Sequence, residues 1–121
     1  MDIHYCEIPV KVKRFGITRT RKQGFLFSNL CWFLLYDEYG WDFEQIPKVQ
    51  PVELMSKMVY FAAKVANWDK GLPANFKLED VGEWLDKCET KHTRELERVY
   101  KQAMTVASEE LIEKAGRVKK K

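Results

Sequence analysis

The sequence predicts a small, mainly α-helical domain of four to five helices, with a short N-terminal strand or hairpin arm and a long, charged C-terminal helix. Polar and apolar residues alternate near the start, apolar residues recur at helical spacing through the middle, and charged residues dominate the end. We divide the chain into an extended arm with a basic connector (1–24), a helical core domain (25–89), and a charged helix with a basic tail (90–121).

The N-terminal arm is predicted as an edge strand or one arm of a short hairpin. Val10 and Val12 alternate with two lysines, which is the period of a strand with one face in water. Pro9 cannot donate a hydrogen bond to a sheet, so a central strand is excluded. The segment TRTRKQG, ending at Gly24, is interpreted as a polar connector.

The first helix is predicted over 25–39, in the apolar run GFLFSNLCWFLLYDEYGW, with Gly40 at its C-terminal cap. A bilayer span needs about 20 mostly apolar residues, and Asp37 and Glu38 close this run too early. Protein must therefore bury it. Its apolar residues surround most of the helix, which predicts a central position in the fold.

Two further helices are expected in the middle of the chain. Pro51 suits the first turn of a helix through PVELMSKMVYFAAKVANW, in which Leu54, Met58 and Phe61 recur at helical spacing. The connector WDFEQIPKVQP before it has room for one helical turn. After the turn DKGLPANF, the segment KLEDVGEWLDKC predicts a short amphipathic helix.

The last helix is predicted from Thr90 to Ala115, with Gly116 ending it and RVKKK as a basic tail. Charged residues surround a narrow apolar stripe, as in a solvated helix with one docking face. The stripe consists of Leu96, Tyr100, Ala103, Ala107 and Leu111.

The composition excludes several classes of protein. The 121 residues include 21 basic and 18 acidic ones, a mixed charge unlike that of a committed nucleic-acid binder. Three cysteines without paired spacing fit reduced thiols. The start lacks the basic cap and apolar stretch of a secretory signal, so we expect a cytoplasmic protein that contacts no membrane.

Residues for catalysis or metal binding are scarce. His4 and His92 are the two histidines, and neither lies in a motif for a hydrolytic site. Cys88 and His92 are four residues apart and could supply half a zinc site, but no second pair has suitable spacing. Glycine-rich phosphate motifs are absent from the sequence. We expect no enzyme, no catalytic residue, no cofactor and no metal.

Basic residues concentrate in twelve positions around the connector, with Phe15 and Phe25 close enough in sequence to stack on bases. They are Lys11, Lys13, Arg14, Arg19, Arg21 and Lys22. Four of them form a candidate polyanion site: Arg14, Arg19, Arg21 and Lys22. A solvated loop beside a half-exposed strand is the preferred interpretation, and attraction of an acidic protein partner is a third.

The order of the helices resembles that of the tail assembly chaperones of long-tailed bacteriophages. The resemblance covers about 15–86 and lies in a Phe-rich helix ending DEYGWDFEQI, then VELMSKMVYFAAKVANWDKG, then FKLEDVGEWLDKC. It implies a non-enzymatic, mainly helical protein of the host cytoplasm that is absent from the finished virion. It also implies binding of the tape measure protein until tail tube subunits polymerise around it.

Helix recognition by such a protein would use apolar surface that its own fold does not cover. The candidate partner-binding residues are Phe25, Phe27, Trp32, Phe33, Met55, Met58 and Phe61. The alternative is that they fill the core, and we expect this for most of them. Two other functions remain open: a nucleic-acid-binding accessory protein using the basic residues and the tail at 119–121, or a structural adaptor that stays in the particle.

Self-association is predicted from the same apolar surplus, because a domain of this size cannot hide all of its apolar stripes. We expect the purified protein to form oligomers at tens of micromolar, roughly where weak helical interfaces populate. Analytical ultracentrifugation measures this directly. A strict monomer across that concentration range would contradict the prediction.

Overall fold

The computed structural model describes residues 4–119, with side chains described at 4–13 and 15–105. Its elements follow one another along the chain with short connections. They are β1 (Tyr5–Arg14), β2 (Ile17–Leu26), α1 (Asn29–Tyr39), a one-turn 3₁₀ helix (Ile46–Lys48), α2 (Pro51–Asp69), α3 (Leu78–Asp86) and α4 (Thr90–Lys119).

The fold is mixed α/β, and the prediction of a mainly α-helical domain is wrong. Among the described residues, four α-helices accompany a sheet of two antiparallel ten-residue strands. The error lies in TRTRKQG, which belongs to β2 and is not a connector. A strand whose two faces are both in water carries no apolar alternation, so its sequence looks like a polar loop.

A two-residue turn joins the strands and sets their register. Phe15 and Gly16 both have positive φ, 53° and 76°, as a type I′ turn requires. The register pairs Arg14 with Ile17 and Pro9 with Lys22. Counting from the turn, alternate pairs exchange hydrogen bonds, and Pro9 falls at a position whose backbone nitrogen faces away from β2. The edge position expected for Pro9 is confirmed.

The hairpin is buried at its base and exposed toward its tip. The first six residues of β2 are exposed and the last four are buried. At the base, Ile8, Val10 and Phe25 are each at most 1% exposed. Helix α2 packs against β2, while α3 and α4 pack against β1. The proposed division after residue 24 therefore falls inside a strand that belongs to the core.

The outer side of the hairpin base is fixed by a small polar cluster. The Tyr5 ring lies over Gly24, where an added Cβ would meet the tyrosine oxygen at 2.6 Å. Lys70, at the end of α2, donates to the Tyr5 hydroxyl at 2.6 Å and to Glu7 at 3.0 Å. The Lys70 ammonium, helped by the Tyr5 hydroxyl, lowers the pKa of the Glu7 carboxyl. Because these contacts are exposed to solvent, they contribute little to stability and mainly fix the position of the Tyr5 ring.

Helix α1 begins at Asn29, four residues later than predicted, because the preceding phenylalanine-rich stretch completes β2. The Ser28 side chain accepts a hydrogen bond from the backbone of Leu30 at 3.3 Å and caps the helix. Gly40 ends it in the left-handed conformation, as predicted. Helix α1 is not central. It buries Cys31 and Leu35 and leaves its opposite side in solvent.

Helix α2 is the central element. It begins at Pro51, as predicted, and buries nine residues from Leu54 to Asn67 against the sheet and the other helices. The expected helical turn in the preceding connector is present at Ile46–Lys48. Helix α3 coincides with the predicted segment, and its N-terminus is capped by Asp80.

Helix α4 starts at Thr90, as predicted, and continues to Lys119 without ending at Gly116. A glycine inside a helix costs about 1 kcal/mol relative to alanine, too little to stop a helix by itself. Leu96, Val99 and Tyr100 are buried in the same core as the strands. The side chains of the predicted stripe residues Ala107 and Leu111 lie outside the described residues, as does residue 120 onward.

Two glycine substitutions test the turn geometry. We expect Gly16→Ala to lower the free energy of unfolding by about 1–2 kcal/mol, because an L-residue is strained at positive φ. Gly82→Ala, inside α3 and with open space around it, should raise stability by about 0.5–1 kcal/mol. Urea unfolding measures both. Equal effects of the two substitutions would argue against the type I′ turn.

Candidate functional site

A row of large apolar side chains lies on the solvent side of α1. Leu30 is 43% exposed, Phe33 69% and Tyr36 61%. They are three residues apart, so they stack along one side of the helix over nearly two turns. We call these three residues the α1 apolar face. It exists because α1 is apolar on every side while the domain core covers only one of them.

Aromatic residues of α1 also contact aromatic residues that follow the helix. The Trp32 ring lies 5.8 Å from the ring of Phe43, which is 52% exposed. The rings of Tyr39 and Trp41, which flank Gly40 in the chain, are 5.0 Å apart. Gly40 redirects the chain at its left-handed cap, and the residues that follow therefore lie beside the helix instead of prolonging it.

The structure separates the predicted partner-binding residues into three groups by burial. Four are core residues: Phe25, Phe27, Met58 and Phe61. Trp32 and Met55 are partly buried, and Phe33 is exposed. Leu30, Tyr36 and Phe43 are exposed apolar residues that the sequence interpretation did not single out. The sequence does contain an indication of this exposure. A short helix that is apolar on every side must expose one side when it lies at the edge of a small core.

The candidate polyanion residues occupy both faces of the hairpin. By the register, Arg19 and Arg21 share a face with Val10, whereas Lys22 shares the other with Lys11. The Arg14 side chain lies outside the described residues. The four residues therefore do not form one continuous basic surface.

A cleft of about 470 Å³ lies between the hairpin, α3 and the loop that follows α2. Its floor contains two buried amides, Gln23 and Asn67, which are 2% and 7% exposed. The Gln23 amide donates to Asn67 Oδ1 at 3.0 Å and to the Gly24 carbonyl at 2.8 Å. Asn67 in turn donates to the Pro73 carbonyl at 2.8 Å. This chain of hydrogen bonds ties strand, helix and loop together.

One wall of the cleft is an arginine stacked on a tryptophan. The Arg21 guanidinium lies 5.0 Å from the centre of the Trp84 ring, and it donates to Gln23 Oε1 at 3.1 Å. Trp84 is only 5% exposed and contacts Phe76 edge to face, with ring centres 5.0 Å apart. Arg21 is thus held in place by both contacts, and α3 is joined to the hairpin.

The acidic residues of the cleft are already engaged. Asp80 Oδ2 accepts from the Lys77 backbone at 2.8 Å, and Glu83 forms an ion pair with Lys87 at 3.0 Å. By the strand register, Lys11, Lys13 and Lys22 lie on the opposite face of the hairpin from Arg21 and Gln23.

The histidines and cysteines form no metal site in the described part of the chain, where no three potential ligands converge. The Cys88 thiol donates to the Pro9 carbonyl at 3.4 Å instead of facing His92. Burial raises the pKa of the Cys6 and Cys31 thiols to about 11, which keeps them protonated and unreactive at neutral pH. No described helix is both long enough and apolar enough to cross a membrane.

Comparisons with protein-family models, with curated proteins and with solved structures found no match to this chain.

The hydrogen-bonded floor of the cleft leads to a stability test. We expect Asn67→Ala to lower the free energy of unfolding by about 1–3 kcal/mol, because it removes an acceptor from Gln23 and a donor from the Pro73 carbonyl in a buried site. Asn75→Ala, at an exposed asparagine of the same cleft, is the matched control and should change it by less than about 0.5 kcal/mol. Chemical denaturation measures the free energy of unfolding of both variants. A loss of stability in Asn67→Ala as small as that in Asn75→Ala would contradict the prediction.

Proposed function

We propose that this protein is a tail assembly chaperone that binds amphipathic helical segments of a phage tape measure protein through the α1 apolar face. It acts in the host cytoplasm, keeps its client from aggregating, and leaves as tail tube subunits assemble around that client. The chain itself has no catalytic role in this function.

The observation that carries the proposal is the exposure of Leu30, Phe33 and Tyr36 on one side of α1. Leaving such a row in water is unfavourable, by about 25 cal/mol for each Å² of apolar surface. Adjacent exposed apolar residues in a small protein mark an interaction site more often than isolated ones do. Their spacing matches the ridges of a second helix, whose own apolar stripe would cover them.

The proposal of this family rests on the sequence resemblance, and the exposed apolar face of α1 supports it. The segments behind the resemblance include the end of α1, most of α2 and α3. Helix α1 packs against α2 and leaves its apolar face outward. A second copy of the chain is another occupant of the same surface. Client binding would then compete with self-association, because both would cover Phe33.

Two alternatives have weaker support. A nucleic-acid-binding function would rest on the basic hairpin, whose cations are divided between two faces. A structural adaptor would use the same α1 apolar face but would remain in the mature particle. Finding the protein in purified virions would favour the adaptor over the chaperone.

The client-binding surface is tested by co-expression with a candidate tape measure protein, defined as a very long helical chain encoded in the same genome. We expect the wild-type chain to keep that protein soluble, and Phe33→Ser with Tyr36→Ser to weaken binding by about tenfold or more, as loss of a central aromatic anchor does. The soluble fraction of the client and its co-purification are the measurements.

Phe15→Ser with Leu72→Ser is the control, because it removes two exposed apolar side chains far from α1 in sequence. It should leave client solubility unchanged. Circular dichroism checks that both variants fold. The proposal fails if the α1 variant protects the client as well as the wild type does, or if the two double variants lose protection equally.

A further inference from the structure

We propose that the tip of the β1–β2 hairpin of one copy docks on the α1 apolar face of a second copy, so that copies of the chain associate head to tail. Four exposed residues next to the turn make up what we call the arm tip: Lys13, Phe15, Ile17 and Arg19. The inference shares the α1 apolar face with the proposed function but requires no client, so the two can fail separately.

The arm tip presents two large apolar residues to solvent. Phe15 is 91% exposed and Ile17 is 56% exposed. Phe15 also has a φ of 53°, at a turn position where asparagine, aspartate and glycine are usual and a bulky residue is disfavoured. An aromatic residue that is strained in the backbone and lies outside the core indicates a contact with a partner.

Positive charge surrounds the arm tip. The segment 11–22 contains six basic residues and no acidic one, and because the whole chain has 21 basic and 18 acidic residues, the remainder is net negative. Counted from the turn, Lys13 is in the second residue pair and Arg19 in the third, and the register places them on opposite faces of the hairpin. A surface that covers the arm tip therefore meets a cation on each face.

The α1 apolar face carries the complementary charge. The segment 29–44 contains four acidic residues and no basic one. Asp37 follows Phe33 by four residues and Leu30 by seven, so it continues the face at helical spacing. No ion pair among the described side chains uses Asp37 or Glu38. Helix α1 also has no basic residue in its last turn, where the helix dipole favours cations.

A contact between these two surfaces joins different copies. Within one copy Phe15 and Phe33 are both exposed, so the arm tip does not cover its own α1 apolar face. A contact between two α1 helices would be less favourable, because it would bring two acidic segments together. Since the arm tip and the face are different surfaces, every bound copy still offers one of each, which leads to chains or closed rings.

Sedimentation velocity of the full chain at about 50 mM salt, where exposed charges are weakly screened, is the first experiment. We expect species larger than a dimer at roughly tens of micromolar. Phe15→Ser and Phe33→Ser should each weaken association about tenfold or more, as loss of an aromatic anchor does. Leu72→Ser, which removes an apolar side chain that is 51% exposed, is the control and should stay within about twofold of the wild type. The proposal fails if Phe15→Ser associates like the wild type, as it would in a symmetric α1–α1 dimer.

Mixing two variants tests the head-to-tail arrangement. The Phe15→Ser chain keeps an intact α1 apolar face, and the Phe33→Ser chain keeps an intact arm tip. An equimolar mixture should therefore form a heterodimer that grows no further, because the two surfaces left over are both damaged. A mixture that forms no heterodimer would overturn the proposal.

Reversing charges on both sides tests the pairing of the two surfaces. Lys13→Glu with Arg19→Glu should weaken association about tenfold, and Asp37→Lys with Glu38→Lys should do the same. A chain with all four substitutions again has opposite charges on the two surfaces. It should recover association to within about threefold of the wild type.

Lys91→Glu with Lys101→Glu makes the same change of net charge on exposed residues of α4 and is the matched control. Equal losses in this control and in the arm-tip variant, or no recovery in the fourfold variant, would contradict the proposal. Client solubility separates this inference from the proposed function, because Phe15→Ser leaves the α1 apolar face intact and should still protect the client. A Phe15→Ser chain that still associates overturns only the head-to-tail contact.

Discussion

The packing of α2 against the base of the hairpin is the interaction on which the rest of the structure depends. A two-stranded hairpin is at best marginally stable in water, since it has no third strand to share its apolar face. Here Phe25 and Ile8 are buried against the helical layer, and Gln23 bonds to Asn67 of α2. The hairpin is thereby held at one end, while its other end remains in solvent.

Both candidate surfaces follow from that arrangement. Because the sheet and α2 form the centre, α1 lies at the edge and buries only the side with Cys31 and Leu35. Its other side becomes the α1 apolar face. Because only half of the hairpin is covered, its exposed half and α3 leave a gap between them, and that gap is the cleft.

Single residues at helix ends predicted where several of the helices begin or end. Pro51 and Gly40 predicted where α2 begins and α1 ends, because proline lacks a donor that the first helical turn does not need and glycine tolerates the left-handed cap. The edge position of Pro9 follows from the same missing donor. These features depend on one or two residues and their neighbours, so the sequence alone carries them.

Strand β2 was missed because its evidence is not local. Residues from Thr18 to Lys22 are polar on both faces, and only the turn at Phe15 and Gly16, which pairs them with β1, reveals a strand. The start of α1 was misplaced for the same reason. Phe25 and Leu26 read equally well as helix or strand until their cross-strand partners, Cys6 and Tyr5, are known.

The sequence by itself determined that this chain carries long apolar stripes at helical spacing, a nearly balanced mixture of basic and acidic residues, and no recognisable catalytic motif. Only the tertiary structure decided which apolar residues the core leaves exposed. Phe25 and Phe33 have the same side chain and lie in the same apolar run, yet one is fully buried and the other is 69% exposed. The difference arises because the core covers only one side of a peripheral helix. Contacts between elements that are distant in the sequence decide which side is covered.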